Sequence, residues 1–342
     1  MPHADDWTKP GIFEVAPGVH RIPLPLPNDA LRSVNVYAIV DAETLVLIDS
    51  GWALQNAREG LEQALGSLGC GLGDVRDFFV THAHRDHYTQ AVALRRIFGT
   101  PISIGHAEEP SLRAQVDPVR RRLSSQIALL NLHGASDLAQ QLSDPRLLAR
   151  DTSMWEMPDV WFDNGHEIRL PTRTLRVVHT PGHTQGHVVY LDESAGLMFS
   201  GDHVLPHITP SIGFEPSPEV LPLGSYLDSL RLVRSLPDLK LLPAHGPVGP
   251  SVHQRTDEIL VHHDERLIDS LAILREGFRT ASEVARELTW TSRGRPFSSL
   301  DRQNQMLAVL ETAAHLDLLV EQGRTSCAMV GGVRQFEPVG AE

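Results

Sequence analysis

Lysine is almost absent from this chain. Of its 342 residues only Lys9 and Lys240 are lysine, and the 30 basic residues are otherwise arginine. They form no long run, Arg120-Arg121-Arg122 being the densest patch, and 43 acidic residues outnumber them for a net charge of −13. A basic coat for non-specific nucleic-acid binding is therefore disfavoured. Cysteine is equally scarce: Cys70 and Cys327 lie in distant, dissimilar segments, which reads as two free thiols rather than a disulfide framework and fits a reducing cytoplasm. No apolar stretch approaches the roughly 18–20 residues needed to cross a bilayer. The start, Met1 to Asp6, has no basic region followed by an apolar one, so it does not read as a signal peptide. A hydrophobic share of 41% and a charged share of 21% leave an ordinary globular composition and exclude disordered, collagenous and coiled-coil classes. One residue type is plentiful: there are 18 histidines, and imidazole is the commonest neutral metal ligand.

The N-terminal part alternates short β-like runs with helical ones. Val19–Leu24, Val34–Val40, Thr44–Ile48 and Val75–Val80 are rich in β-branched and apolar residues and are separated by Pro, Asn, Asp and Gly, the pattern of strands. Leu54–Leu68 and Tyr88–Phe98 have helical spacing. Ile102–Ile104 is a brief strand, followed by a polar, helix-leaning insertion at about 107–160. Strand signals resume at Glu167–Leu170, Thr174–Val178, Val188–Leu191, Leu197–Ser200 and Lys240–Leu242, with a helix over Pro218–Ser235 before the last of them. After Pro250 the texture changes to helices at Val252–Arg275, Thr280–Leu288 and Leu300–Gln322, then a hairpin across Gly331-Gly332. That order, helix, helix, helix and hairpin, predicts a winged-helix-like module at 251–342 behind a catalytic domain at 1–250.

The densest chemical signal is Thr81-His82-Ala83-His84-Arg85-Asp86-His87. If extended backbone continues past Val80, His82 and His84 project to the same side, because strand side chains alternate. The chain then turns, which lets Asp86 and His87 reach a second position nearby. So many imidazole and carboxylate groups in so short a segment suit Zn²⁺. Further candidates follow other strand-like runs beside glycines: His183 and His187 in Pro181-Gly182-His183-Thr184-Gln185-Gly186-His187, Asp202 and His203 in Ser200-Gly201-Asp202-His203, and His245 in Ala244-His245-Gly246.

These motifs, with Asp49 in Leu47-Ile48-Asp49-Ser50-Gly51, occur in the order found in the metallo-β-lactamase superfamily, and the sequence resembles that family over about residues 15–250. The resemblance implies an αββα sandwich with a dinuclear site at one edge of the two sheets. It implies one ion held by His82, His84 and His183, another by Asp86, His87 and His245, and Asp202 bridging them. Two divalent ions are expected, Zn²⁺ first, with iron or manganese as alternatives. The implied reaction is hydrolysis of a small ester, thioester or lactone by a metal-bridging hydroxide, with Asp86 as the catalytic proton carrier. The alternatives are an RNA-processing endonuclease on the same ions and an iron-containing redox protein. Neither cysteine falls in a motif, unlike the β-lactamases that use a cysteine ligand, and a histidine stands at position 84 where flavodiiron relatives carry glutamate.

Asp49, His187 and His203 are expected to orient ligands from behind. Tyr88, His207, Arg120, Arg121 and Arg122 are candidates to face substrate, the arginines through bidentate contact with an anion. Trp155, Trp161, Met154 and Met157 could line an acyl pocket or pack in a core, and the adjacent pair His262-His263 reads as part of a surface helix. From Asp257 to Glu342 nine arginines face fourteen acidic residues, which argues against a nucleic-acid partner for the C-terminal module. A small-molecule substrate, no membrane contact and a possible homodimer complete the expectations.

Overall fold

The computed structural model describes residues 6–27, 31–120, 123–144, 152–217, 219–290 and 294–340. Two sheets form its centre. The first runs in chain order from β1 (Phe13–Ala16) through β2 (Val19–Pro25), β3 (Ser33–Asp41), β4 (Thr44–Ile48), β5 (Val75–Val80) and β6 (Ile102–Gly105) to β7 (Val160–Phe162). It is antiparallel up to β4 and parallel thereafter. The second sheet has the order β12 (Lys240–Pro243), β11 (Leu197–Gly201), β10 (Val188–Asp192), β9 (Thr174–His179), β8 (Glu167–Arg169).

Alternation along single strands builds the layers. In β4, Val46 and Ile48 enter the core between the sheets, while Leu45 and Leu47 enter a second core on the far side of the first sheet. In β10, Val188 and Tyr190 point between the sheets, and Val189 and Leu191 point to a third core outside the second sheet. The helices α1 (Gln55–Gly66) and α2 (Arg85–Phe98) close the second core. In α1 the buried residues are Ala57, Leu61, Ala64 and Leu65, the i, i+4, i+7, i+8 stripe of a helix that packs on a sheet. The αββα sandwich expected from the sequence is therefore present.

Between β6 and β7 lie α3 (Glu109–Val116), α4 (Ser124–Leu132) and α5 (Ser136–Leu142), where the helical insertion was expected. After α6 (Pro222–Ser235) and β12 come α7 (Val252–Arg275), α8 (Ala281–Glu287), α9 (Arg302–Glu321) and the hairpin of β15 (Thr325–Val330) and β16 (Val333–Pro338). A two-residue pairing of β13 (Thr289–Trp290) with β14 (Arg295–Pro296), which the sequence reading missed, separates α8 from α9. The Ser251 hydroxyl caps α7 by accepting the Gln254 N–H at 3.0 Å, and Thr280 with Glu283 forms a capping box on α8. One continuous core joins α4 and α5 to α6 and to the C-terminal helices. His263 is not on a surface: it is fully buried, with Nδ1 3.1 Å from Nε2 of His315 on α9. Among the described residues no helix is long and apolar enough to cross a membrane.

Candidate metal centre

The ends of β5, β9, β11 and β12 deliver the histidines and aspartates to one edge of the sandwich. α2 begins at Arg85, not at Tyr88, and His84 precedes it in extended conformation at φ −90° and ψ 156°. The chain bends over residues 81–83 after β5, so His82 and His84 are presented by a bend rather than by continued strand, while Asp86 and His87 stand on the first helical turn. Gly201 lets the β11 end come close: a Cβ there would lie 2.7 Å from both the Thr81 side chain and His187 Nε2. Its φ of +50° also disfavours side chains.

The side chains fall into two groups whose candidate ligand atoms lie within 4.8 Å of one another, His82, His84, His183 and Asp202 in one, Asp86, His87 and His245 in the other. In the first, His84 Nδ1 sits 2.9 Å from His82 Nε2 and 3.1 Å from His183 Nε2. Asp202 faces both groups. Its Oδ2 is 3.5 Å from His183 Nε2 and 3.9 Å from His82 Nε2, and its Oδ1 is 3.4 Å from His245 Nε2 and 3.6 Å from His87 Nε2. Asp86 Oδ2 lies 3.5 Å from His245 Nε2 and 3.7 Å from His87 Nε2.

Hydrogen bonds behind the rings fix which nitrogen carries the proton. His183 Nδ1 is 2.8 Å from the Ser211 carbonyl, His245 Nδ1 is 2.8 Å from the Ser33 carbonyl, and His87 Nδ1 is 2.9 Å from Asp49 Oδ2. Each partner only accepts, so each Nδ1 donates and Nε2 is the nitrogen left to face the centre, with a lone pair turned inward wherever the ring is neutral. His82 follows through Thr81, whose hydroxyl donates to Asp49 at 3.0 Å and accepts from His82 Nδ1 at 3.0 Å. His84 Nδ1 has one proton at most to share between two facing lone pairs. The buried atoms His87 Nε2, His245 Nε2 and Asp202 Oδ1 have no hydrogen-bond partner at all. A buried convergence of acceptors is costly unless a cation draws on them. The residues thus fit divalent metal, and nitrogen and carboxylate donors suit zinc, iron or manganese.

The electrostatics agree. Burial, reinforced by the neighbouring imidazoles, holds His82 far below its ordinary pKa, and burial with His183 takes His84 down to about 3. Burial opposes charge on His87 too, but Asp49, Asp202 and Asp86 overcome it and push that ring up to about 10. Burial raises Asp202, yet His245, His87 and His183 outweigh it and bring the carboxyl to about 2. One half of the centre holds neutral imidazoles, and the other is rich enough in carboxylate to call for positive charge.

Asp49 lies behind Thr81 and His87. Buried and at φ +59°, a strained backbone for a non-glycine residue, it accepts the Thr81 N–H at 2.8 Å as well as the bonds above. His187 accepts the Asp202 N–H at Nε2 over 3.2 Å, and its Nδ1 lies 2.9 Å from the Thr180 hydroxyl. His203 makes no hydrogen bond to a candidate ligand among those described: neither ring nitrogen has a partner, its carbonyl accepts the Tyr226 hydroxyl at 2.8 Å, and its ring packs on Tyr226.

Two substrate candidates are corrected. Tyr88 follows His87 round α2 into the core, where it is fully buried, stacks on Trp155 and donates to the Glu156 carbonyl at 2.8 Å. Arg120 binds the Pro216 carbonyl and the Ser125 hydroxyl, so it ties the insertion to the segment after β11. Arg121 and Arg122 lie outside the described residues. His207 is exposed four residues after His203, and Trp155, Met157 and Trp161 pack against the core of the first sheet. The sequence reading missed Glu108 and Glu215, described below, and the carbonyls of Ser33 and Ser211. A backbone acceptor leaves no mark in a sequence.

A sequence profile of the Metallo-beta-lactamase superfamily matches residues 29–245. A probable metallo-hydrolase of Bacillus subtilis, YqjP, is 26% identical over 90% of this chain and 93% of its own. An atrochrysone carboxyl ACP thioesterase of Emericella nidulans is 24% identical over 96% of this chain and 87% of its own. The crystal structure of a metallo-beta-lactamase family protein from Thermus thermophilus superimposes with a TM-score of 0.79 at 25% identity, covering 95% of this chain and all (100%) of that one. Fold, metal-compatible cluster and family profile coincide at the same residues, and the chain belongs to the metallo-beta-lactamase superfamily of hydrolases.

Proposed function

We propose that this protein is a dinuclear zinc hydrolase that cleaves the ester or thioester bond of a small acyl substrate. The observation that carries the reading is the pair of buried half-sites sharing Asp202, whose two oxygens each face one half. His82, His84 and His183 would hold one ion, Asp86, His87 and His245 the other, and Asp202 both. When bound, such ions supply hydroxide near neutral pH, since they lower the pKa of water to about 7, and they polarise the carbonyl under attack.

The protein's own groups do the rest. Asp86 keeps 14% of its side chain accessible, more than His82, His87, His183, His245 or Asp202, so it is the carboxylate best placed to meet solvent and substrate. Burial works to protonate it, but His87 and His245 hold its pKa below the ordinary value. Asp86 therefore stays a base at neutral pH, able to take the proton of the attacking water and return it to the leaving thiolate or alkoxide. Asp49, through His87, keeps that half in the tautomer the ion needs. No serine or cysteine nucleophile is required.

The thioester preference is supported by the thioesterase that aligns over nearly the whole chain. A panel of acyl thioesters, aryl esters, lactones, β-lactams and single-stranded RNA, assayed with zinc-loaded protein, tests it. Chelator-sensitive thioester hydrolysis that Asp86→Ala abolishes is the expected result. RNA cleavage with thioesters untouched would replace this reading by the nuclease alternative.

A further inference from the structure

The loop that carries His183 is held by carboxylates from outside every motif. Glu108, which immediately precedes α3, is completely buried. It accepts the hydroxyl of Thr184, the residue after His183, at Oε1, while its Oε2 is buried with no hydrogen-bond partner among the described residues. The carboxylate thus holds the chain segment that supplies His183 to the three-histidine half of the centre. The packing is tight. A Cβ on Gly186 would lie 2.0 Å from the Glu108 nitrogen and 2.4 Å from the Ala107 carbonyl carbon, so only glycine lets the His183 loop rest on this backbone.

Glu215, from the segment after β11, continues the brace. Its Oε2 accepts the Gln185 N–H at 2.8 Å and its Oε1 the Ser111 hydroxyl at 2.8 Å. The Gln185 side chain donates to the Ser217 carbonyl at 2.9 Å. Every polar partner named here for Glu108 and Glu215 is a neutral donor, so neither is an ion-pair residue. What the two carboxylates share is a grip on the His183 loop.

We infer that Glu108 is a positioning residue for the metal centre, fixing the loop that carries His183 by bonding to Thr184, and so governing the affinity of the three-histidine half alone. The inference rests on the dinuclear reading above. The Asp86, His87 and His245 half takes its orientation from Asp49 and Ser33 and has no bond to Glu108 among those described.

The test is a zinc chloride titration of chelator-stripped, full-length protein against a chromophoric competitor, with melting temperatures of the metal-free proteins alongside. The wild type should take up two ions. Glu108→Ala should weaken one of the two sites by about 10–100-fold, the usual cost of losing a partner behind a metal ligand, and leave the other unchanged. Thr184→Val, which keeps the side-chain shape, should weaken the same site without lowering the metal-free melting temperature. Glu108→Gln, whose amide oxygen can still accept from Thr184, should restore most of the affinity. Thr184→Val serves if Glu108→Ala fails to fold. Two ions with wild-type affinities in the variants would overturn this inference alone, as would equal weakening of both sites with loss of metal-free stability. A wild type that takes up no zinc would overturn the dinuclear reading and this inference with it.

Discussion

Replacing Asp49 by asparagine isolates the tautomer argument. Asp49 accepts three donors at once: the Thr81 N–H at 2.8 Å, the Thr81 hydroxyl at 3.0 Å and His87 Nδ1 at 2.9 Å. Asparagine has nearly the same shape and tolerates the positive φ of +59° better than most residues, so the backbone has no reason to move. It offers one oxygen where two were used. With the amide nitrogen towards Thr81, two donors meet in a buried site. With it towards His87, the ring must accept at Nδ1 and carry its proton on Nε2, which points at Asp86 and Asp202 and removes a lone pair from the centre. The first arrangement leaves a buried donor unpaired and the second takes a lone pair from the centre, a cost of about 1–3 kcal/mol. At about 1.4 kcal/mol per decade that is roughly 10–100-fold in metal affinity, the range known for partners behind a metal ligand. The assay is zinc competition with turnover measured in parallel. The half containing His87 should weaken by that factor, and turnover at limiting zinc should fall with it. An Asp49→Asn protein that holds both ions within twofold of wild type would refute the assignment of the His87 proton.

Three further outcomes are expected. Gly186→Ala drives a methyl into the backbone at Ala107 and Glu108 and should cost at least about 3 kcal/mol or prevent folding; wild-type thermal stability would contradict the packing. Burial, with the charge of Glu108, pushes the Glu215 carboxyl above its ordinary range. An acid whose folded pKa is raised loses stability as pH climbs from its unfolded value through its folded one. Glu215→Gln should therefore flatten the fall in melting temperature between about pH 5 and 9 and be the more stable protein at the alkaline end, and a wild-type slope would contradict this. Arg120→Ala should leave catalysis on a small thioester within about threefold while loosening the insertion, because its partners are Pro216 and Ser125; a KM rise of about 100-fold would instead place Arg120 at the substrate.

Much of the fold was legible because strands alternate and helices repeat. Val46 and Ile48 against Leu45 and Leu47 is the kind of pattern that forces two faces on a sheet, and Thr280 with Glu283 marks a helix start by local chemistry alone. The metal cluster was legible because its donors sit beside one another or beside glycines at strand ends. What escaped depended on long-range approach. Glu108 lies far in sequence from the His183 loop it braces, and no local pattern distinguishes it from a surface glutamate. Tyr88 misled for the converse reason: adjacency to His87 suggested the site, but one further residue round a helix turns a side chain by about 100°, and here that turn leads into the core.

The most direct test of the central claim is the number of divalent ions retained per chain by the purified protein, read by elemental analysis for wild type and for His245→Ala. Two ions in the wild type and one in the variant, with the three-histidine half still filled, is the predicted result. A wild type that hydrolyses thioesters while retaining no divalent metal would contradict the account at its foundation.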